Sequence, residues 1–197
     1  MGQRKGDTRK RILEASLMLF SVDGFDAVSI RTIADAVGIG NSALYKHFKS
    51  KRDIFDSIVC RMEQTDALRA REFGLPEAAA DEMAEEYRQA SMRQLIDFSK
   101  AQFTYWTEDD FSSNFRKLLT LEQYRDPDMQ KLYQQYLSAG PLSYVADLFK
   151  SWQIDAPEQK ATEFFAPMFL MYSLYDGGIA RETLEQALNA HFDGFRL

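Results

Sequence analysis

The chain has 197 residues, 45% of them hydrophobic and 13% aromatic, which is apolar material enough for one full domain and a smaller one and excludes a chain disordered throughout. Its net charge of −6 conceals a split: residues 1–52 carry ten Lys or Arg against five Asp or Glu, and the remainder carries 14 against 25. A head of +5 on a body of −11 suits a protein that docks one end onto a polyanion.

Cys60 is the single cysteine, so no intramolecular disulfide is possible, and a reducing cytoplasm is the expected location. The start of the sequence does not read as a signal peptide, and none is expected. The longest nearly apolar run, Phe164 to Tyr175, is broken by Pro167 and is too short to span a bilayer, so no membrane association is expected.

In chain order, Met1 to Gly6, with Arg4 and Lys5, reads as a basic arm, either a mobile terminus or a phosphate contact. Asp7 or Thr8 is placed to cap a first helix that runs to about Val22 and buries Leu13, Leu17 and Phe20. Asp23-Gly24 ends it. Phe25 and Val28 read as core residues that seat it against the next two helices. Ser29 can cap a second helix with Ile30, Ile33, Ala34 and Val37 on its inner face. Gly38 supplies the left-handed backbone that stops it, and Asn41 to Phe48 forms the third, with Leu44 and Phe48 inward. Asn41, Ser42, Ala43, Tyr45, Lys46 and His47 are left on the outward arc. Small residues followed by hydrogen-bond donors suit a helix that enters a DNA major groove. Ser50 and Asp53 read as an S-x-x-D capping box for a fourth helix, whose buried stripe is Ile54, Phe55, Ile58, Val59 and Met62. Lys51 beside that helix start is either a phosphate clamp or a solvated side chain.

Beyond the break at Gly74-Leu75-Pro76, a long helix is expected from Pro76 to about Trp106, with Met92, Leu95, Ile96, Ser99, Phe103 and Trp106 on one face. Ser99 can bond back to a carbonyl one turn earlier or project into a ligand cavity. Further helices start at Asp109-Asp110 and Asp126-Pro127, and Gly140-Pro141 separates or kinks the next. The segment Pro157 to Asp176 is apolar nearly all round, with a kink expected at Pro167, and Ala180 to Phe195 carries one stripe. This hairpin reads as half of a four-helix interface between two copies, built on Phe165, Met168, Phe169, Tyr172, Leu184, Leu188 and Phe192. No useful β-alternation occurs. The expected fold is all-α: a helix-turn-helix domain over 1–52 and a larger ligand-binding and dimerisation domain over 53–197.

The run Thr32-Ile33-Ala34, Gly38-Ile39, Leu44-Tyr45-x-His47-Phe48 and Lys51 resembles the tetracycline-repressor family of bacterial transcription factors. The resemblance covers roughly the first 55 residues; beyond them only a compatible helical pattern remains. It implies that Arg31, Asn41, Ser42 and Ala43 meet bases or nearby backbone, that Tyr45, His47 and Lys51 hold phosphates, and that the protein is a homodimer. Ser29 and Lys46 complete the candidate DNA-contacting set.

Two His and one Cys leave no usual set for zinc, and no nucleophile elbow, phosphate loop or dinucleotide fingerprint is present. Neither catalysis nor a cofactor is expected. Two function classes remain. One is a ligand-responsive regulator, usually a repressor, that binds a palindromic duplex operator as a homodimer and is released by a small, largely apolar effector. The other is a ligand-independent architectural or cell-cycle protein with the same head. The aromatic wealth of the body favours the first, with Phe98, Ser99, Gln102, Phe103, Trp106, Phe115, Leu118, Leu119, Tyr133, Tyr144 and Leu148 as the candidate cavity lining.

Overall fold

The structure, a computed structural model, describes residues 2–197, with side chains from Asp7 onward. Among the described residues there are eleven α-helices and no strand: α1 (Gly2–Asp23), α2 (Ile30–Val37), α3 (Asn41–Leu44), α4 (Lys51–Glu72), α5 (Ala84–Gln89), α6 (Met92–Glu108), α7 (Asp110–Glu122), α8 (Pro127–Leu137), α9 (Ala139–Ser151), α10 (Pro157–Asp176) and α11 (Arg181–Gly194). They form two compact units. One comprises the chain up to Thr65 with Asp110–Lys131, the other Asp66–Asp109 with Leu132–Leu197.

In the first unit, Ile12, Leu17 and Phe20 of α1, Ile33 of α2, Leu44 of α3 and Ile54 and Ile58 of α4 are fully buried. Each such side chain contributes about 1.5–3 kcal/mol as an upper estimate. The apolar face of α7, with Phe115, Leu118 and Leu119 also fully buried, packs along α1. This is why the unit extends past residue 52 and takes in a helix expected in the other domain. Helix α1 starts at Gly2, so residues 2–6 belong to the helix, Met1 lies outside the described residues, and Asp7 and Thr8 lie inside the helix instead of capping it. The side chains of Arg4 and Lys5 lie outside the described residues.

In the second unit the long helix expected from Pro76 to Trp106 is interrupted. Residues 73–83 are irregular, α5 is short, and α6 starts afresh at Met92 under a capping box. Ser91 Oγ accepts from the Gln94 amide at 3.3 Å while Gln94 Oε1 accepts from the Ser91 amide at 2.9 Å. Ser91-Met92-Arg93-Gln94 is thus a start signal in its own right. Carbonyls of the irregular segment and of α5 need donors, and α9 and its C-cap supply them. Tyr144 Oη donates to Pro76 O at 2.9 Å, and Ser151 Oγ and Trp152 Nε1 each donate to Tyr87 O at 3.0 Å. Helices α8 and α9 meet at Gly140, where a Cβ would stand 1.9 Å from Gln135 O, a contact only glycine avoids.

Helices α10 and α11 pair through Phe164, whose ring lies 5.0 Å from Phe192 and 5.3 Å from Phe195. Helix α10 continues through Pro167. Six of the seven residues assigned to a dimer interface, Phe165, Met168, Tyr172, Leu184, Leu188 and Phe192, are buried inside the chain itself. The stripe they form is what α10 and α11 pack with, so it is not the face presented outward. Phe169 is exposed (44%), as is Leu170 (53%), with Ala166 and Ser173 exposed beside them in sequence register.

Candidate nucleic-acid interface

Helix α2 begins where Ser29 Oγ accepts the Thr32 amide at 3.0 Å, a cap worth about 1 kcal/mol. It ends in a Schellman pair: the Ile39 amide reaches Ala34 O at 3.0 Å and the Gly38 amide reaches Asp35 O at 3.1 Å. Gly38 has φ +74°, and a Cβ there would meet nothing within 4 Å. The glycine is therefore required by backbone conformation and not by crowding. Gly40 then opens α3, which is α-helical only to Leu44. Tyr45, Lys46 and His47 continue as turn: the Lys46 amide bonds to Ala43 O at 3.2 Å and the His47 amide to Leu44 O at 2.8 Å. The expected third helix to Phe48 is thus shorter and tightens at its end.

Two arginines of α1 fix this turn from behind. Arg11 Nη2 donates to Val37 O at 2.7 Å, at the C-terminus of α2, where a cation is favoured by the helix dipole. Arg9 Nη1 donates to His47 O at 2.8 Å and Nη2 to Ser57 Oγ at 3.0 Å, with the guanidinium 4.1 Å above the Phe48 ring. Neither has a role legible in sequence, since nothing in their spacing distinguishes them from solvated arginines on α1.

Lys51 has partners within the chain. Its Nζ donates to Phe25 O at 2.6 Å and to Asp26 O at 3.2 Å, and lies 4.4 Å from the centre of the Phe25 ring. The Phe25 amide donates to Glu122 Oε1 at 2.9 Å, so the loop between α1 and α2 is gripped at both ends of one residue. Glu122, buried on α7, is another residue that sequence alone does not single out. At the start of α4, Ser50 Oγ accepts the Asp53 amide at 3.1 Å as expected, but Asp53 Oδ2 accepts from Lys49 N at 2.7 Å instead of from Ser50.

With Ile33, Ala34, Val37, Leu44 and Phe48 buried behind, Ser29, Arg31, Asn41, Ser42, Tyr45 and Lys46 are exposed, and Ala43, His47 and Lys51 are half-buried. Arg31 is 3.9 Å from Asp35, an exposed pairing that holds the guanidinium only loosely.

The eleven candidate lining residues divide between the units. Phe115, Leu118 and Leu119 are core of the first unit, and the other eight lie in the second. Ser99 Oγ donates to Leu95 O at 2.8 Å, the first of its two readings. Phe98 meets the Phe73 ring at 5.8 Å, Phe103 stacks on Tyr172 at 5.9 Å, and Trp106 lies edge-on to Tyr136 at 6.2 Å. Leu148 is fully buried, Tyr133 half-buried, and Tyr144 is tied to Pro76. An open groove of about 340 Å³ in the second unit is lined by Lys100, Ala101, Phe103, Thr104, Glu185, Leu188 and Asn189, and shares only Phe103 with that set.

This geometry, a capped helix, a glycine turn and a short helix with an exposed polar arc, defines a helix-turn-helix module within an all-α protein. Residues 12–58 match the family described as bacterial regulatory proteins, tetR family. The match takes in the helix-turn-helix segment and leaves the rest of the chain outside it. The chain is 43% identical over 56 residues to the HTH-type transcriptional regulator AcrR of Shigella flexneri, and 41% identical over 56 residues to the nucleoid occlusion factor SlmA of Escherichia coli O1:K1. Each match takes in 28% of this chain and about a quarter of the relative, 26% and 28% respectively. Over nearly the whole length the fold is like that of solved structures. A transcriptional regulator from Rhodococcus sp. Rha1 gives a TM-score of 0.67 at 15% identity, covering 95% of both chains. SmeT, the repressor of the Stenotrophomonas maltophilia multidrug efflux pump SmeDEF, gives 0.62 at 16% identity, covering 94% of this chain and 86% of that one. At such identities the likeness is one of fold. No described helix is long and apolar enough to cross a membrane.

Proposed function

We propose that the protein is a ligand-responsive transcriptional repressor that binds an inverted-repeat operator as a homodimer. The observation that carries this reading is the exposed arc of Arg31, Asn41, Ser42, Tyr45 and Lys46 on a turn whose reverse side is fully packed. Asn41 matches the edge of adenine, Arg31 or Lys46 a guanine or phosphate, and Tyr45 a phosphate. Two such arcs reach successive major-groove turns when their centres stand about 34–36 Å apart, and Phe169 and Leu170 offer the apolar surface that pairs the copies. An effector that favours a different spacing lowers affinity. A hundredfold effect needs a differential of about 2.7 kcal/mol between the two states.

The alternative, a ligand-independent nucleoid or cell-cycle factor, is supported by the SlmA likeness, which covers the head as well as the AcrR likeness does. Fluorescence anisotropy with inverted-repeat duplexes selected from random sequence, followed by a compound screen on the complex, tests both. Selection of a palindrome and its release by a compound support the repressor; selection without release by any compound supports the alternative. Failure to select any duplex at low salt rejects both.

A further inference from the structure

Resting on the proposed operator binding, we infer that Arg9 of α1 and Ser57 of α4 are positioning residues for base reading: they set the attitude of the reading turn through its main chain and touch no DNA themselves.

The turn has little hold of its own. Helix α3 is α-helical over four residues only, far below the length at which a helix stands alone in water. Its main-chain ladder ends with the Phe48 amide on Leu44 O at 3.1 Å, so the His47 carbonyl, which lies past that point, needs a donor from elsewhere. Arg9 Nη1 supplies it at 2.8 Å, and the same guanidinium lies 4.1 Å above the ring of buried Phe48. Its other arm, Nη2, donates to Ser57 Oγ at 3.0 Å, and that hydroxyl donates to Asp53 O at 2.8 Å, one turn back along α4. One planar fork therefore joins the end of the reading turn to the second turn of α4, and its fixed shape sets the distance between them.

Leu44 and Phe48 anchor the inward side, so a shift at His47 rotates the short helix about them and carries Asn41 and Tyr45 with it. A base contact tolerates little of this. Hydrogen bonds weaken steeply below about 120°, and a recognition group works within about 0.5 Å and 10–20° of its productive geometry. Phosphate contacts, which carry no sequence information, are made to a repeating backbone and tolerate more. Loss of the brace therefore costs selectivity before general affinity.

The test is fluorescence anisotropy at several salt concentrations, with the inverted-repeat duplex selected by the unaltered chain and a shuffled duplex of the same length and composition. Arg9→Met is expected to lower operator affinity at least about tenfold and affinity for the shuffled duplex less than about threefold, with the salt slope unchanged. Arg9→Lys keeps the charge, loses the fork and should recover only part of the loss. Ser57→Ala is the sharper variant and stands in should Arg9→Met fail to fold. Alanine is the better helix former, so a merely structural role predicts no loss, whereas about threefold lower operator affinity is expected here. In either background Asn41→Ala should cost less than in the unaltered chain, because a displaced Asn41 no longer meets its base. A salt slope reduced by about 0.9 per subunit in Arg9→Met makes Arg9 a phosphate contact and overturns the inference. Equal losses on both duplexes with the Asn41→Ala cost unchanged overturn it too, as does full operator affinity in a folded Arg9→Met or Ser57→Ala chain. Each of these leaves the repressor reading standing; an unaltered chain that selects no duplex rejects that reading and this inference with it.

Discussion

Lys51 Nζ lies 2.6 Å from the carbonyl of Phe25. This bond ties the first turn of α4 to the loop that presents α2, and it makes Lys51 a brace of the reading head. Lys51→Ala is expected to lower stability by about 1–3 kcal/mol, the range for a lost hydrogen bond to a charged donor. It should weaken DNA binding without changing the salt slope. Lys46→Ala should instead leave stability within about 0.5 kcal/mol and reduce the slope of log K against log salt by about 0.9 per subunit. Urea unfolding and anisotropy at several salt concentrations separate them; a reduced slope for Lys51→Ala returns that residue to the phosphate contacts.

Asn41 is exposed at the start of α3, with its side chain free of the packing that holds Leu44. Asn41→Ala is expected to cost about 1–3 kcal/mol at one operator position per half-site and little elsewhere. Binding measured against all single-base operator variants checks this. Uniform loss at every position contradicts a base-reading role.

At Gly38 the open space around the would-be Cβ isolates the effect of backbone conformation. Gly38→Ala should destabilise the fold by about 1 kcal/mol through the left-handed φ alone. The urea midpoint measures it, and an unchanged midpoint shows that the turn tolerates a side chain.

The two faces of α10 predict opposite behaviour. Leu170→Glu should convert the proposed dimer to a monomer that keeps its helical circular dichroism, as read by light scattering after gel filtration. Met168→Ala, on the buried face, should cost about 2–5 kcal/mol of stability and leave the dimer contact chemistry intact. A dimer that survives Leu170→Glu places the pairing surface elsewhere.

Burial raises the Asp66 carboxyl to about 7, with Arg69 pulling it partway back. The folded value stands above the unfolded one, so between about 4 and 7 the folded chain holds a proton that the unfolded chain has released. This contribution to stability is therefore full at the acid end of that window, falls as pH rises through it, and stays lost above. Asp66→Asn removes the dependence. Its stability relative to the unaltered chain should be greater at pH 8 than at pH 5, by an amount on the order of 1–3 kcal/mol.

The helix-turn-helix was legible because each of its parts is a local signal. Ser29 caps the helix it precedes, Gly38 turns where only a left-handed residue fits, and Leu44 and Phe48 mark the buried side of the third helix and its final turn. The inner face of α10 was illegible for the opposite reason. Periodicity reports that a stripe is apolar but not whether its partner is another helix of the same chain or of a second one. Roles that act across long sequence separations left no trace: Arg9 on His47, Arg11 on Val37 and Glu122 on Phe25 are defined only once distant helices meet. The break before α6 was legible in Ser91 and Gln94, and the Pro76 signal masked it.

Because Arg9 and Arg11 support the turn, and Lys51 and Glu122 the loop before α2, through main-chain atoms, the outward side chains carry none of that mechanical burden. Asn41, Ser42, Tyr45 and Lys46 are then free to drift in evolution with little penalty in folding, so a lineage can acquire a new target sequence while its scaffold stays constant.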